Sequence, residues 1–155
     1  MQAIRRTPAN EALTSLVLDL FRLNNRMLAA GDGLVAGLGL TSARWQVLGT
    51  IVAAEQPRPV AWLARDMGRK RQNVQRIVND LAEIGLVDFA PNPHHRRASL
   101  VVLTDKGGHA FDEAMRLQVP WFNRLAEGIP LDDIEATRRT MRTLHQRLAG
   151  DPDGE

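Results

Sequence analysis

The chain of 155 residues contains no cysteine. Disulfides, thiolate metal ligands and cysteine-based redox switches are therefore excluded. Tyrosine is also absent, and lysine occurs only twice among the 20 basic residues, so few groups titrate between about pH 7 and pH 10. The isoelectric point of about 9.9 reflects these missing buffering groups, because the formal net charge is only +2.

Long hydrophobic runs are missing as well. No apolar stretch approaches the roughly 20 residues of a membrane-spanning helix, and residues 1–10 lack the apolar segment of a signal peptide. We therefore predict a cytoplasmic protein that does not act on a membrane. The content of 44% hydrophobic and 25% charged residues is typical of a globular chain, and the length fits one domain.

The small net charge is unevenly distributed along the chain. Residues 1–57 carry a net charge of +1, residues 58–105 carry +3, and residues 106–155 carry −2. A basic centre followed by an acidic end indicates that the middle of the chain faces a polyanion, whereas the flanking segments serve another purpose.

Apolar residues at the helical period predict helices in both flanks of this basic centre. Residues 11–30 form one amphipathic pattern, residues 105–127 a second, and the residues after Pro130 a third. Pro120 is expected to kink or split the second, Asp132 and Glu135 to form a capping box for the third, and residues 150–155 to be a disordered tail. Thr41 is a candidate N-cap of a further helix, whose expected buried stripe is Trp45, Leu48, Ile51 and Val52.

The basic centre contains two short helical segments joined at Gly68, which is the pattern of a helix-turn-helix. Residues 61–67 form the first segment and residues 72–84 the second, with Val74, Ile77, Val78 and Leu81 on its inner face. Its outer face is polar, with donors and acceptors suited to base edges and phosphates. These side chains are Arg71, Gln72, Gln75, Arg76 and Asn79, with Asn73 near the start.

A β-hairpin is predicted to follow this second helix. Residues 86–90 and 99–103 are strand-like, and the segment between them contains two prolines, two histidines and two arginines. Because proline cannot donate to a strand ladder, the hairpin should end in a projecting basic loop. We therefore predict a mainly α fold with a small β-hairpin wing, that is, a winged helix-turn-helix with further helices on both sides.

The order and spacing of these pieces resemble MarR-type transcriptional regulators. The similarity extends over residues 11–148 and rests on an ordered set of short motifs rather than on one specific signature. The motifs are residues 39–48 (GLTSARWQVL), residues 63–76 of the helix-turn-helix, Leu81 with residues 85–87 (GLV), residues 92–97 (NPHHRR) and residues 103–107 (LTDKG).

The resemblance implies a sequence-specific DNA-binding regulator in which residues 1–155 form a single MarR-like domain. Residues 11–36 and 105–149 would supply dimerisation helices, and residues 40–104 the winged DNA-binding module. It further implies a homodimer on a palindromic operator in double-stranded DNA, with the recognition helix in the major groove and the wing at the minor groove. A repressor relieved by a small, aromatic ligand is the role that many relatives have.

The residues expected to contact DNA are Lys70, Arg71, Gln72, Asn73, Gln75, Arg76, Asn79, His95, Arg96 and Arg97. By analogy with relatives, Met27, Trp45 and His109 are expected to line an effector pocket. Two positions depart from the family pattern. His95 replaces the aspartate that usually precedes the wing arginines, and Lys70 stands where relatives often have Ser or Thr, although lysine is a poor N-cap.

Other functional classes find less support in the sequence. No catalytic motif, nucleophile elbow or phosphate-binding glycine loop is present, so we predict neither an enzyme nor a cofactor. The four histidines lack the spacing of metal ligands, and we predict no metal site. The alternative that remains is a winged-helix protein-interaction module without DNA binding, against which the arginine-rich outer face argues.

Overall fold

The computed structural model describes residues 5–150, so residues 151–155 of the predicted tail lie outside the described residues. A 3₁₀ turn, Ala36–Leu38, follows the first helix. The regular elements, in chain order, are α1 (Pro8–Val35), α2 (Ser42–Ala53), β1 (Arg58–Pro59), α3 (Val60–Asp66), α4 (Arg71–Glu83), β2 (Val87–Ala90), β3 (Leu100–Leu103), α5 (Asp105–Ala126) and α6 (Leu131–Ala149). The fold is mainly helical with one small antiparallel sheet, as predicted. Among residues 5–150, no helix is long and apolar enough to cross a bilayer.

Two compact units divide the chain between Gln118 and Val119. The first unit contains the hydrophobic core, which α2, α3 and α4 enclose together with the sheet. All four residues predicted for the inner face of α4 are buried, as are two of the four predicted for α2. The largest fully buried side chains are Leu48, Leu63, Leu81, Val35, Val47, Val74, Val78, Val87 and Val101.

The start of α2 is fixed against α1 by buried polar contacts. Thr41 caps α2 as predicted, because its side chain accepts a hydrogen bond from the backbone N–H of Arg44 at 3.2 Å. The next residue, Ser42, donates its N–H to Asp32 Oδ1 and its hydroxyl to the carbonyl of Leu28, each at 2.7 Å. A Cβ on Gly31 would collide with the Ser42 hydroxyl, so a glycine is needed where the two helices meet.

The sheet has the strand order β1-β3-β2, and all of its pairings are antiparallel. The hairpin of β2 and β3 pairs Val87 with Leu103 and Ala90 with Leu100, close to the predicted strand limits. The edge strand β1 was not predicted, since its Pro59 reads as a stop signal. Proline is compatible with an edge strand, where its missing N–H is not required.

Two details of the sequence prediction were wrong, and a third was narrowed. Val52 is 41% exposed, whereas Val47 is fully buried, because α2 turns residues 47, 48 and 51 towards the core. Of the two effects expected of Pro120, a split is excluded, because Pro120 lies inside the continuous helix α5. The helix α6 begins at Leu131, and Pro130 is its N-cap residue. Asp132 is therefore not the capping residue. It lies in the first turn, where its negative charge interacts favourably with the positive end of the helix dipole.

Candidate nucleic-acid interface

The turn between α3 and α4 positions α4, which is the second helix of the helix-turn-helix and the recognition helix that the resemblance implies. Gly68 adopts a φ of +62°, and the N–H of Arg69 donates to the carbonyl of Ala64 at 2.9 Å, which closes the C-terminal end of α3. This left-handed position is open to glycine at little steric cost. The chain then continues through Lys70 into α4. The relative orientation of α3 and α4 therefore depends on a local hydrogen bond that the left-handed conformation of Gly68 allows.

Positive charge is concentrated at the N-terminal end of α4. Lys70 is the N-cap residue and Arg71 the first helical residue, and the first turn of α4 within the described structure contains no acidic side chain and receives no side-chain cap. Basic residues at this end add to the positive end of the helix dipole instead of compensating it. The arrangement disfavours the isolated helix and favours a bound anion such as a DNA phosphate.

The outer face of α4 is exposed apart from the half-buried Gln75, and a hydrogen bond orders two of its side chains. Gln75 Nε2 donates to Asn79 Oδ1 at 2.9 Å, which aligns the two amides one turn apart and leaves the other amide atoms of both side chains free to bond base edges. Arg76 is exposed beside them. Arg44 of α2 lies 3.7 Å from the Asp80 carboxylate of α4, and this ion pair links the two helices.

The C-terminal end of α4 and the base of the wing are fastened to α5. Gly85, at φ +80°, ends the helix, and its carbonyl accepts the Thr104 hydroxyl at 2.7 Å. Lys106 Nζ donates to the carbonyl of Ile84 at 2.7 Å, and the Gly107 N–H donates to Thr104 Oγ1 at 3.0 Å. Thr104 therefore caps α5 and also ties it to the end of α4.

Two successive turns build the tip of the wing. The N–H of His95 donates to the carbonyl of Asn92 at 3.3 Å, and the N–H of Ala98 donates to the carbonyl of His95 at 3.2 Å. Asn92 Oδ1 also accepts the N–H of His94 at 3.0 Å, which is an Asx turn. Arg96 and Arg97 occupy the two central positions of the second turn and are exposed. The turn is thus closed by the backbone at His95 without a carboxylate.

A groove of about 290 Å³ separates α4 from the wing, and we refer to it as the helix–wing groove. Arg71 and Gln75 line it from α4, and Arg97 lines it from the wing side. The structure thus brings three of the sequence-predicted residues together around one depression. The remaining lining residues are Pro59, Val60, Ala61, Phe89, Ala98 and Ser99.

Phe89 is the lining residue that sequence reasoning missed. Alternation along β2 places it on the same face as the buried Val87, so the pattern indicates a core residue. In the structure its side chain is 45% exposed. Its place one residue before the end of β2, next to the projecting loop, is the feature from which its exposure could have been inferred.

The three residues predicted for an effector pocket lie on α1, α2 and α5. Met27 and Trp45 are half-buried, and His109 is exposed. The first two helices meet at Ser42, and Gly49 of α2 lies against the ring of Phe111 on α5. No group of three or more potential metal ligands occurs among residues 5–150.

Comparison with known proteins identifies the chain. The MarR family model matches residues 38–98. An uncharacterized protein of Mycobacterium tuberculosis is 34% identical over 135 residues, which are 87% of this chain and 93% of the relative. The chain belongs to the MarR family. The transcriptional activatory protein BadR of Rhodopseudomonas palustris is 29% identical (66% of this chain, 59% of BadR), and the repressor IacR of Pseudomonas putida is 23% identical (83% and 77%).

Solved structures of MarR regulators have the same fold. CouR from Rhodococcus jostii RHA1, in its complex with p-coumaroyl-CoA, is 27% identical with a TM-score of 0.72, over 83% of this chain and 90% of CouR. A cysteine-to-serine mutant of E. coli MarR bound to operator DNA is 20% identical with a TM-score of 0.77, over 90% and 99% of the two chains. This MarR-family protein is therefore a transcription regulator with a winged-helix fold, and not an enzyme.

Proposed function

We propose that this MarR-family regulator binds a palindromic operator through α4 and the wing. The observation that carries the proposal is the uncompensated positive charge at the start of α4, which faces the same groove as Arg97 of the wing. Arg76, Gln72, Asn73, Gln75 and Asn79 would contact base edges in the major groove, while Lys70 and Arg71 would contact phosphates. His95, Arg96 and Arg97 would reach the minor groove and the phosphates that border it.

A homodimer is part of the proposal, because a palindromic operator presents two equivalent half-sites. The apolar side chains of α6 support it: Ile134 and Met141 are each 39% exposed and Leu148 is 77% exposed. In the unit after Gln118 they have no core of their own to fill. We propose that residues 11–36 and 105–149 supply the dimerisation helices, and that residues 40–104 form the DNA-binding module of a cytoplasmic, single-domain regulator.

We propose a repressor relieved by a small aromatic ligand. IacR, a repressor by name, is similar over more of both chains than BadR, an activatory protein. CouR has been solved with p-coumaroyl-CoA, and an organohalide-sensing regulator of the same fold with 2,4-dichlorophenol. Met27, Trp45 and His109 would line the pocket, and quenching of tryptophan fluorescence by 2,4-dichlorophenol in the wild type but not in a Trp45→Phe variant tests their placement.

The decisive experiment is a titration of labelled DNA from upstream of the protein's own gene against a scrambled duplex. We expect Arg76→Ala to weaken binding of the upstream duplex by about 1–3 kcal/mol and to leave binding of the scrambled duplex unchanged. Equal losses on both duplexes would make Arg76 a phosphate contact. If the wild type binds neither duplex, a protein-interaction module without DNA binding is favoured instead. A reporter gene placed behind the upstream DNA shows whether the bound protein represses or activates transcription.

A further inference from the structure

The exposure of Phe89 needs a physical reason. The register of the hairpin places Phe89 opposite Val101, and Val87 lies two residues earlier on the same face. Val87 and Val101 are completely or almost completely buried, yet Phe89 remains 45% exposed. Phe89 lies on the edge strand β2, whereas its buried partner Val101 lies on the central strand β3. Phe89 is therefore not fully covered by the core, and it lines the helix–wing groove.

Charged groups flank this apolar surface. Arg71 lies on the α4 side of the groove and Arg97 on the wing side. Within residues 5–150 neither guanidinium takes part in an ion pair, so both charges are available to an anion. The groove therefore offers an apolar surface between two cationic side chains.

This alternation matches the chemistry of a nucleic-acid backbone, in which anionic phosphates alternate with largely apolar deoxyriboses. When a recognition helix lies in the major groove and a wing in the adjacent minor groove, the strand that separates the two grooves must pass between helix and wing. The helix–wing groove is the depression at that position, and the charge of its rim is complementary to phosphate.

We propose that the helix–wing groove holds one sugar–phosphate strand of the duplex, with Phe89 packed against a deoxyribose between phosphates bound by Arg71 and Arg97. The inference rests on the proposed DNA-binding function and adds an apolar contact to it. Such a contact strengthens binding without regard to base sequence. It also releases no counterions, so it contributes equally at low and high salt.

Salt titrations separate this contact from a charged one. A labelled random-sequence duplex of about 30 base pairs, three helical turns, is titrated with the full-length protein between about 50 and 200 mM NaCl. We expect Phe89→Ser to weaken binding about tenfold at every salt concentration, with an unchanged slope of log K against log salt. Arg71→Ala and Arg97→Ala should each reduce the magnitude of that slope by roughly 0.9.

A second duplex distinguishes the sugar from a base. With uracil in place of every thymine, the C5-methyl groups are gone but the deoxyriboses remain. We expect Phe89→Ser to cause the same tenfold loss on this duplex. A loss that disappears with the methyl groups would place Phe89 on a thymine and overturn the proposal, as would a changed salt slope.

Two further variants control for folding. Val52→Ser removes an equally exposed apolar side chain (41%) outside the helix–wing groove, and it should bind as the wild type does. Phe89→Leu retains apolar surface and should therefore lose less DNA affinity than Phe89→Ser. If the serine variant unfolds at a low temperature, the affinity of the leucine variant is the test of the apolar contact. If the wild type binds DNA and both Phe89 variants bind within twofold of its affinity, the Phe89 contact is overturned but the proposed DNA-binding function is not. A wild type that binds no duplex would overturn the proposed function as well.

Discussion

The helices α4 and α6 are both amphipathic, but their apolar residues have opposite surroundings. All four apolar residues at the helical period of α4 are buried, with at most 7% exposure. In α6, Ile134, Met141 and Leu148 keep between 39% and 77% of their surface exposed, and no residue of Leu131–Ala149 is buried. The same sequence signal thus marks an internal core in one region and an open apolar surface in the other.

This difference teaches how the work of the chain is divided. The winged module buries most of its apolar residues in its own core, so its polar outer face can contact DNA. The helix α6 leaves its apolar surface open, which is unfavourable in water unless another surface covers it. If the module is internally complete and α6 is not, then substitutions in the two regions should fail in different ways.

The largest effect is expected from Gly107→Ala, which disrupts the packing of α5 against the winged module. A Cβ at Gly107 would overlap the backbone carbonyl of Leu86 and come within 2.8 Å of Leu103 Cδ1. Because a backbone atom cannot move aside cheaply, we expect the free energy of unfolding in urea to fall by more than about 3 kcal/mol.

The adjacent Gly108 provides a matched control for this variant. A Cβ there meets nothing closer than Leu103 Cδ2 at 3.9 Å, which is an ordinary contact. Gly108→Ala should raise stability by about 0.5–1 kcal/mol through helix propensity. Equal urea midpoints for the two variants would show that the junction between the wing and α5 is not tightly packed.

The next largest effect should come from Met141→Asp, which tests the open apolar surface of α6. A carboxylate buried in a subunit interface without a partner is costly, so we expect the dimer dissociation constant to rise at least about a hundredfold. Sedimentation should show monomers, and unfolding of the module in urea should change little. Gln146→Glu on the same helix is the charge-matched control, and a Met141→Asp variant that stays dimeric would contradict the assignment of α6.

A smaller effect is expected when both wing arginines are removed. Arg96→Ala with Arg97→Ala should reduce the magnitude of the salt slope of DNA binding by roughly 1.8, since each phosphate contact contributes about 0.9. The oligomeric state should remain that of the wild type. Arg22→Ala, at an exposed arginine paired with Asp19 in α1, is the control. An unchanged slope for the double variant would remove the wing from the interface.

The smallest effect is expected from Lys70→Ser, which tests whether the start of α4 gives up helix stability for DNA affinity. Lys70 is an N-cap without a side-chain cap in the described structure. Serine at this position can accept a backbone N–H of the first turn, so Lys70→Ser should stabilise the fold by about 1 kcal/mol. The same change should weaken DNA binding and lower the salt slope by roughly 0.9. Greater stability with unchanged DNA affinity would separate Lys70 from the interface.

Several features of the fold were predictable because their causes are local. Thr41 and Thr104 cap helices through contacts three residues away, and Gly68 and Gly85 adopt the left-handed conformation that ends a helix. The buried face of α4 follows from the helical period alone. The exposed arginines of the wing follow from a loop that prolines keep out of the strand ladder.

Other features depend on segments that are distant in sequence. The pairing of Arg58 with Val101, the bonds from Thr104 and Lys106 back to the end of α4, and the clash of a Gly107 Cβ with the Leu86 carbonyl each join positions 19 or more residues apart. The prediction of Val52 as buried failed because the direction of the core around α2 is set by neighbouring elements. The capping box at Asp132 failed because Pro130 is the N-cap residue, so α6 begins two residues earlier than predicted.

The absences in composition and the short motifs were sufficient to identify a winged-helix regulator and its DNA-contacting residues as a hypothesis, because helix periods, caps and turns depend on near neighbours. The helix–wing groove and the exposure of Phe89 required the folded chain. Burial is decided by where one element ends relative to another, and that relation arises when strands pair and helices pack across long stretches of sequence.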